Sequence, residues 1–226
     1  MLIRDSLGSE CSSEARDDSQ NIPKGYTLDT VRELCHLASS NDFFSHPERT
    51  ESTMLEAIST SKGWPAHIQP LPAIHSNLAN SYYAKQNHLK EAHYLLHLCF
   101  ISDPVLYPSR VHPARVRNLF MLTMVLHKLA KDDSKSTAVP TVPLQDVELI
   151  YKYCMLKVAE DAQTSHGKQS SLWKALNARV IEEAGSVTDP RVAIALMRTD
   201  QMQKVYWELL LQLLKWAGID PSCVRA

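Results

Sequence analysis

Glycine is scarce in this sequence, and its scarcity argues against a sheet protein. Only 6 of the 226 residues are glycine, and the chain lacks the short alternating strands separated by turns that predict a β-fold. Leucine, alanine, lysine and glutamate are abundant instead, and these residues favour helices. We therefore predict an all-α fold, either antiparallel helix hairpins stacked in a tetratricopeptide-like array or an irregular helical bundle.

An excess of charge and a long apolar run are also absent. The 24 basic and 25 acidic side chains leave a formal net charge of −1, so no overall field attracts phosphate backbones or anionic lipids. No apolar run reaches the roughly 18 residues of a membrane-spanning helix, and the N-terminal segment has no apolar signal-peptide core. We expect no nucleic-acid partner, no membrane partner, and a location in the cytoplasm, the nucleus or both.

Cysteine is too sparse for a disulfide framework or a zinc knuckle. The five cysteines are odd in number and widely spaced, and no Cys-x-x-Cys pair occurs. They are Cys11, Cys35, Cys99, Cys154 and Cys223. We interpret them as reduced thiols. Because no Gly-x-Ser-x-Gly, P-loop or Gly-x-Gly-x-x-Gly sequence is present either, we predict no catalytic residue, no cofactor and no metal.

Composition divides the chain into a short polar segment and one helical domain. Residues 1–22 are polar and serine-rich, and we predict that they are disordered because they bury too little to offset the entropy of ordering. The remainder, 23–226, is predicted to form a single helical domain. Within it, 63–131 is the best-matching helix-hairpin core, 132–143 is a linker loop, and 144–226 holds the C-terminal helices.

The clearest supersecondary unit is a helix hairpin. Its first helix is predicted to begin at Pro72, since proline suits the first helical turn, and to reach about Lys85. The second is predicted to begin near Leu89 and to end at Asp103-Pro104. Two short antiparallel helices are the tetratricopeptide layout. The aromatic, small and terminal proline positions of that repeat correspond to Tyr83, Ala92 and Pro104.

Four further helices are predicted after the hairpin. Pro113 begins one that reaches about Ala130. An apolar stripe at helical spacing indicates the next, and its members are Val147, Ile150, Tyr151, Cys154 and Val158. Gly185 ends a third helix, and Asp189-Pro190 opens the last, which runs to about Ala217.

Three histidines lie close together in the sequence. His93 and His97 are four residues apart, so they share one helix face, as metal ligands often do, and His88 precedes them. No carboxylate completes a His-Glu-x-x-His pattern. The cluster therefore has two interpretations: structural or surface histidines, which we favour, or the site of an unrecognised helical enzyme.

A proline-rich corner joins two helical patterns and ends in a His-Pro-x-Arg sequence. Arg115 and Arg117 stand at the start of a helix, where cations oppose the helix dipole, which indicates that they have partners. In one interpretation they form a pocket for an acidic peptide or a C-terminal carboxylate. In the other, which we favour, at least one arginine pairs with a neighbouring helix and fixes the corner. The candidate binding residues are Tyr107, His112, Arg115 and Arg117.

The last helix is apolar around most of its circumference. Such a helix is either central in its own domain or covered by a partner. The sequence leaves both interpretations open. The candidate interface residues are Trp207, Leu211 and Leu214.

A family resemblance rests on the stretches "WP", "QPLP", "DPVLYP" and "HPARV", with a helix rich in leucine, alanine and tyrosine between them. Together they resemble the C-terminal helical region of fungal SET and MYND domain proteins, which are protein-lysine methyltransferase relatives. The resemblance covers Gly63 to Leu129. It implies a tetratricopeptide-like region that packs beside a SET domain and shapes partner access. The motif residues are Pro104, Tyr107, Pro108, His112, Pro113 and Arg115, and the resemblance implies no catalytic role for them.

The zinc-binding MYND cysteines and the SET motifs that hold S-adenosylmethionine are missing from the sequence. We therefore expect a non-catalytic helical scaffold that binds a protein or peptide partner, with a SET domain in cis or in trans among the candidates. The alternatives are a fragment that contributes to a methyltransferase when joined to a SET domain, and an unrecognised helical enzyme.

Overall fold

The computed structural model describes residues 47–60, 67–131, 142–184 and 197–224, together with positions 29, 32, 36, 194 and 195. Its long elements are all helices, which confirms the predicted all-α class. The α-helices are α1 Pro47–Thr60, α2 Leu71–Ala84, α3 His88–His97, α4 Asp103–Leu106, α5 Pro113–Ala130, α6 Leu144–His166, α7 Ser171–Ala184 and α8 Asp200–Trp216. The predicted disordered segment, 1–22, and most of the predicted linker, 132–141, lie outside the described residues.

Helices that follow one another in the chain pack as pairs. Helix α2 packs against α3, α5 against α6, and α6 against α7, while α3 also contacts α5, so the hairpins share one core. The predicted stripe on α6 is confirmed, since all five of its side chains are buried. Its apolar face therefore supplies the contact surface for α5 and α7. Within the described residues, no helix has the length and apolar content needed to cross a bilayer.

Local sequence signals place several helix ends correctly. Helix α5 begins at Pro113 and ends at Ala130, as predicted. The side chain of His112 accepts a hydrogen bond from the Ala114 backbone N–H and so caps the helix. Gly218 follows α8 at a φ of +71°, in the left-handed region where glycine costs least.

The prediction that Asp103-Pro104 ends the second helix of the hairpin is wrong. A π-helical turn spans Leu98–Ser102, and the backbone then continues as α4 to Leu106. The Asp103 N–H bonds the Leu98 carbonyl, five residues back. Since Pro104 has no N–H to donate, the turn before it widens and the helical path continues. This wide turn directs Phe100 and Asp103 into the pocket described below.

The prediction that one helix runs from Asp189-Pro190 to Ala217 is also wrong. Thr199 adopts an extended conformation, and its hydroxyl accepts a hydrogen bond from the Met202 N–H, so α8 begins at Asp200. Ile194, Ala195 and Met197 are helical before this break, and the predicted start lies outside the described residues. The threonine cap was an available sequence signal that the periodicity obscured.

Candidate functional site

The corner between α4 and α5, residues 107–112, is held by contacts among the residues that the sequence singled out. The rings of Tyr107 and His112 stack with centroids 4.3 Å apart and an interplanar angle of 8°. The Arg115 guanidinium donates a hydrogen bond from Nη1 to the Tyr107 carbonyl oxygen, over 3.2 Å. Three of the four candidate binding residues therefore hold the corner, whereas Arg117 is exposed on the neighbouring turn.

A further arginine, which the sequence did not single out, ties the corner to α6. Arg110 donates from Nε and Nη2 to one oxygen of Asp161, over 3.0 and 2.8 Å. The Asp161 carboxylate is buried, while the Arg110 side chain is 61% exposed. Burial raises the pKa of Asp161, and the hydrogen bond from Arg110 opposes that increase. The pairing with an acidic residue of a neighbouring helix, which was predicted for Arg115 or Arg117, is thus made by Arg110 instead.

A cavity of about 270 Å³ opens between the corner, α5, α6 and α8. Arg115 lines it from α5 and Trp207 lines it from α8. These two residues came from separate sequence arguments, one on the corner and one on the last helix, and only the packing of the helices brings them together. We refer to this cavity as the Arg115–Trp207 pocket.

Most of the wall of the Arg115–Trp207 pocket is apolar. Phe100 enters from the π-helical turn, Leu119 from α5, and Leu210 from α8. Tyr153 contributes an aromatic ring from α6, and Val224 also lines the cavity. An apolar wall with a few convergent polar groups is the usual composition of a ligand site.

The polar part of the pocket includes a carboxylate with a perturbed pKa. Asp103 is 2% exposed, and Nδ2 of Asn118 donates to both of its oxygens, over 3.2 and 3.0 Å. Burial raises the pKa of Asp103 to about 6, although Asn118, Arg115 and His112 favour the charged form. Asp103 therefore changes charge close to neutral pH. Arg110, Arg115 and Lys157 supply the cations of the lining.

Two thiols line the pocket but are poor nucleophiles. Cys99 and Cys154 are free and buried. Burial raises the pKa of Cys154 to about 12, and it raises the pKa of Cys99 as well. Since the thiolate is the nucleophilic form, neither thiol is activated for covalent catalysis.

The three candidate interface residues of the last helix fall in different environments. Trp207 is 38% exposed at the pocket, Leu211 is half-buried, and Leu214 is fully buried in the core. Leu214 thus follows the interpretation in which the helix is buried in its own domain. Trp207 remains available to a ligand.

The histidine cluster packs helices together. His93 and His97 have ring centroids 5.1 Å apart, and His75 of α2, which the sequence argument missed, lies 5.0 Å from His97. Nε2 of His97 donates to the Ala217 carbonyl oxygen over 3.0 Å. Burial lowers the pKa of His75 to about 3 and that of His93 to about 4, so both are neutral at physiological pH.

His88 does not join the other histidines. Its Nδ1 lies 3.1 Å from the carboxylate of Glu91, on the same helix. In the part of the chain that the structure describes, no group of three or more His, Cys, Asp or Glu side chains is arranged to hold a metal ion. The geometry therefore favours the structural interpretation of these histidines.

Comparison with known proteins gives no matching family model, no matching curated protein and no matching solved structure.

Proposed function

We propose that this chain is a non-catalytic helical protein-interaction module that binds an acidic segment of a partner protein at the mouth of the Arg115–Trp207 pocket. The observation that carries the proposal is the meeting of an arginine and a partly exposed tryptophan on one cavity. Arginine and tryptophan are the residues most enriched at the energetic centres of protein interfaces.

The charge and shape of the mouth support this proposal. The Arg110 side chain is 61% exposed and that of Arg198, near the start of α8, is 55% exposed. An open depression beside the pocket is lined by Asp200, Gln203, Lys204 and again Trp207. Arg110 is paired with Asp161 and Arg198 with Glu160, and Lys204 adds a cation at the depression, beside Asp200. The resemblance to the C-terminal region of SET and MYND domain proteins points to the same class of function.

A displayed library of random peptides tests the proposal. Half of the library is fused so that the peptide ends in a free carboxyl group, and half has both ends blocked. We expect acidic peptides to be enriched and to lose binding by about thirtyfold or more in Trp207→Ala, as for a central interface residue. Binding is measured by fluorescence anisotropy on synthetic copies of the enriched peptides.

The matched control is Tyr83→Ala, which removes an aromatic side chain that is 56% exposed on α2 and does not line the pocket. It is expected to leave peptide binding unchanged. Enrichment that is equal on wild-type protein and on Trp207→Ala would show that the pocket mouth is not the binding face and would overturn the proposal.

Binding of an acidic peptide is expected to be tighter at pH 5.5 than at pH 7.5. As the pH falls through about 6, Asp103 takes up a proton and the pocket loses a negative charge. Removing one like charge from a partly buried site strengthens anion binding by about three- to tenfold. Anisotropy titrations at the two pH values measure the change, and in Asp103→Asn it should disappear. A change that survives in Asp103→Asn would assign the titration to another group.

A further inference from the structure

We propose that the interior of the Arg115–Trp207 pocket is a binding site for a small aromatic monocarboxylate, a molecule with one ring and one carboxylate. The proposal goes beyond the protein-interaction function because its ligand is a free small molecule that occupies the cavity between the helices. Each of the two proposals can fail while the other stands.

The pocket extends into the helix bundle. Five of its lining residues are almost completely covered by protein, with exposed fractions of 8% or less; they are Cys99, Asp103, Cys154, Asp161 and Leu210. A patch on the surface would not have such a lining. Cavities between packed helices are common positions for small-molecule sites.

The volume limits the ligand to one ring and a small polar group. A cavity of about 150 Å³ holds benzene, whereas drug-sized ligands occupy about 300–1,000 Å³. At about 270 Å³, the pocket has room for an aromatic ring and a carboxylate on a short linker. A peptide that passed through the cavity would need room for at least two residues, and the cavity would need an opening at each end within the same volume.

The charges on the lining favour an anion with a single charge. Three cations, Arg110, Arg115 and Lys157, line the cavity together with two carboxylates, Asp103 and Asp161. Arg110 pairs with Asp161 and Lys157 pairs with Glu160, which leaves Arg115 as the lining cation without an ion pair to a described carboxylate. A monocarboxylate balances its single charge, whereas a phosphate monoester, with a charge near −2, would exceed it.

Arg115 is the cation best placed to receive the ligand carboxylate. Arg110 is engaged by Asp161, and Nζ of Lys157 lies 3.3 Å from Glu160. The hydrogen bond from Arg115 to the Tyr107 carbonyl uses one of the five N–H donors of a guanidinium. The forked geometry of the remaining donors suits a carboxylate.

The apolar walls favour an aromatic ring over an alkyl chain. Phe100, Tyr153 and Trp207 present three aromatic side chains to one cavity. Aromatic pairs gain free energy beyond the area they bury, through offset or edge-to-face contacts. Because Trp207 lies at the entrance, its fluorescence should change when a ring binds beside it.

Titration calorimetry with 3-phenylpropionate tests the inference on the full chain. From its size we expect a dissociation constant on the order of 0.1–1 mM. The neutral amide, 3-phenylpropionamide, should bind at least about tenfold more weakly, because it cannot form a charged hydrogen bond with Arg115. Propionate, which lacks the ring, should give no measurable heat.

Two neighbouring arginines provide a matched pair of variants. Arg115→Gln is expected to weaken binding of 3-phenylpropionate by about tenfold, whereas Arg117→Gln, two residues further along α5 and outside the lining, should not change it. Circular dichroism checks that each variant is folded. If Arg115→Gln does not fold, the comparison of acid with amide on wild-type protein decides the question.

Three results would overturn the inference. The first is equal binding of acid and amide, and the second is the absence of any binding of 3-phenylpropionate. The third is binding that Trp207→Ala leaves unchanged, which would place the ligand elsewhere. In a further outcome, a peptide with a C-terminal phenylalanine binds through Trp207 and 3-phenylpropionate does not bind. The occupant would then be the end of a protein chain. That result would reject the small-ligand proposal and leave the protein-interaction proposal intact.

Discussion

Replacing Leu214 by alanine is expected to lower the free energy of unfolding by about 2 to 5 kcal/mol. The side chain is fully buried in the core, so the substitution removes buried methyl groups and leaves a cavity that the surrounding helices fill only in part. Urea denaturation followed by circular dichroism measures the loss. The same samples run on a sizing column show whether self-association changes.

Trp207→Ala on the same helix is the matched comparison. Because the indole is 38% exposed, we expect a loss well below the roughly 3–5 kcal/mol that a core tryptophan costs, while peptide binding is lost. A small effect of Leu214→Ala on unfolding, together with a change in elution volume, would instead place this face of α8 at an interface between protein chains.

Arg110→Ala is expected to cost about 1 to 3 kcal/mol at pH 7.5. The substitution leaves the buried Asp161 carboxylate without its two hydrogen bonds from Arg110. We place the expected cost below that of a fully buried pair because Arg110 itself is 61% exposed and water screens part of its charge. The comparison uses urea denaturation of the wild type and the variant in the same buffers.

The pH dependence of that loss has a definite sign. Burial already raises the pKa of Asp161 above its ordinary value, and removing Arg110 raises it further. A carboxyl whose pKa is higher in the folded state than in the unfolded state destabilises the fold at pH values where the group is ionised in the unfolded state. It has no such effect at pH values where the group is protonated in both states. The difference between wild type and variant should therefore be largest above the raised pKa of Asp161 in the folded variant, and should shrink as the pH falls through the pKa of Asp161 in the folded proteins, below which the carboxyl is protonated in both of them.

The double variant Arg110→Ala with Asp161→Asn serves as the control, since it removes the unpaired charge as well. It should be more stable than Arg110→Ala alone at pH 7.5 and should show little of the pH dependence. Equal stability of the two variants would mean that the Arg110–Asp161 pair contributes little to the fold.

Local sequence signals were sufficient for most helices. The spacing of Val147, Ile150 and Cys154 placed one face of α6 in the core, and proline at position 113 marked the start of α5. The local signals led to wrong predictions where one signal masked another. Pro104 indicated a helix end, but a wider turn satisfied the backbone instead. Thr199 capped α8 within a run whose apolar spacing suggested one longer helix.

Only part of the candidate site could be predicted from the sequence, because its contacts join residues that are far apart in the chain. Arg115 attracted attention through its unfavourable place at a helix start, and Trp207 through an apolar helix. Arg110 carried no local signal at all, since its partner Asp161 is 51 residues away. Asp103 was interpreted as half of a helix stop, and its burial beside Asn118 depends on how α4 meets α5.

By itself the sequence determined the all-α class, the apolar stripes and several of the turns, because periodicity, proline and capping act over a few residues. Tertiary packing alone decided that Arg115 and Trp207 line one cavity, that Leu214 belongs to the core, and that His75 and His93 are neutral where the helices pack together. The physical reason is that burial, and the pKa values and hydrogen bonds that follow from it, depend on which helix faces meet. Residues within one helix do not encode that choice in their spacing.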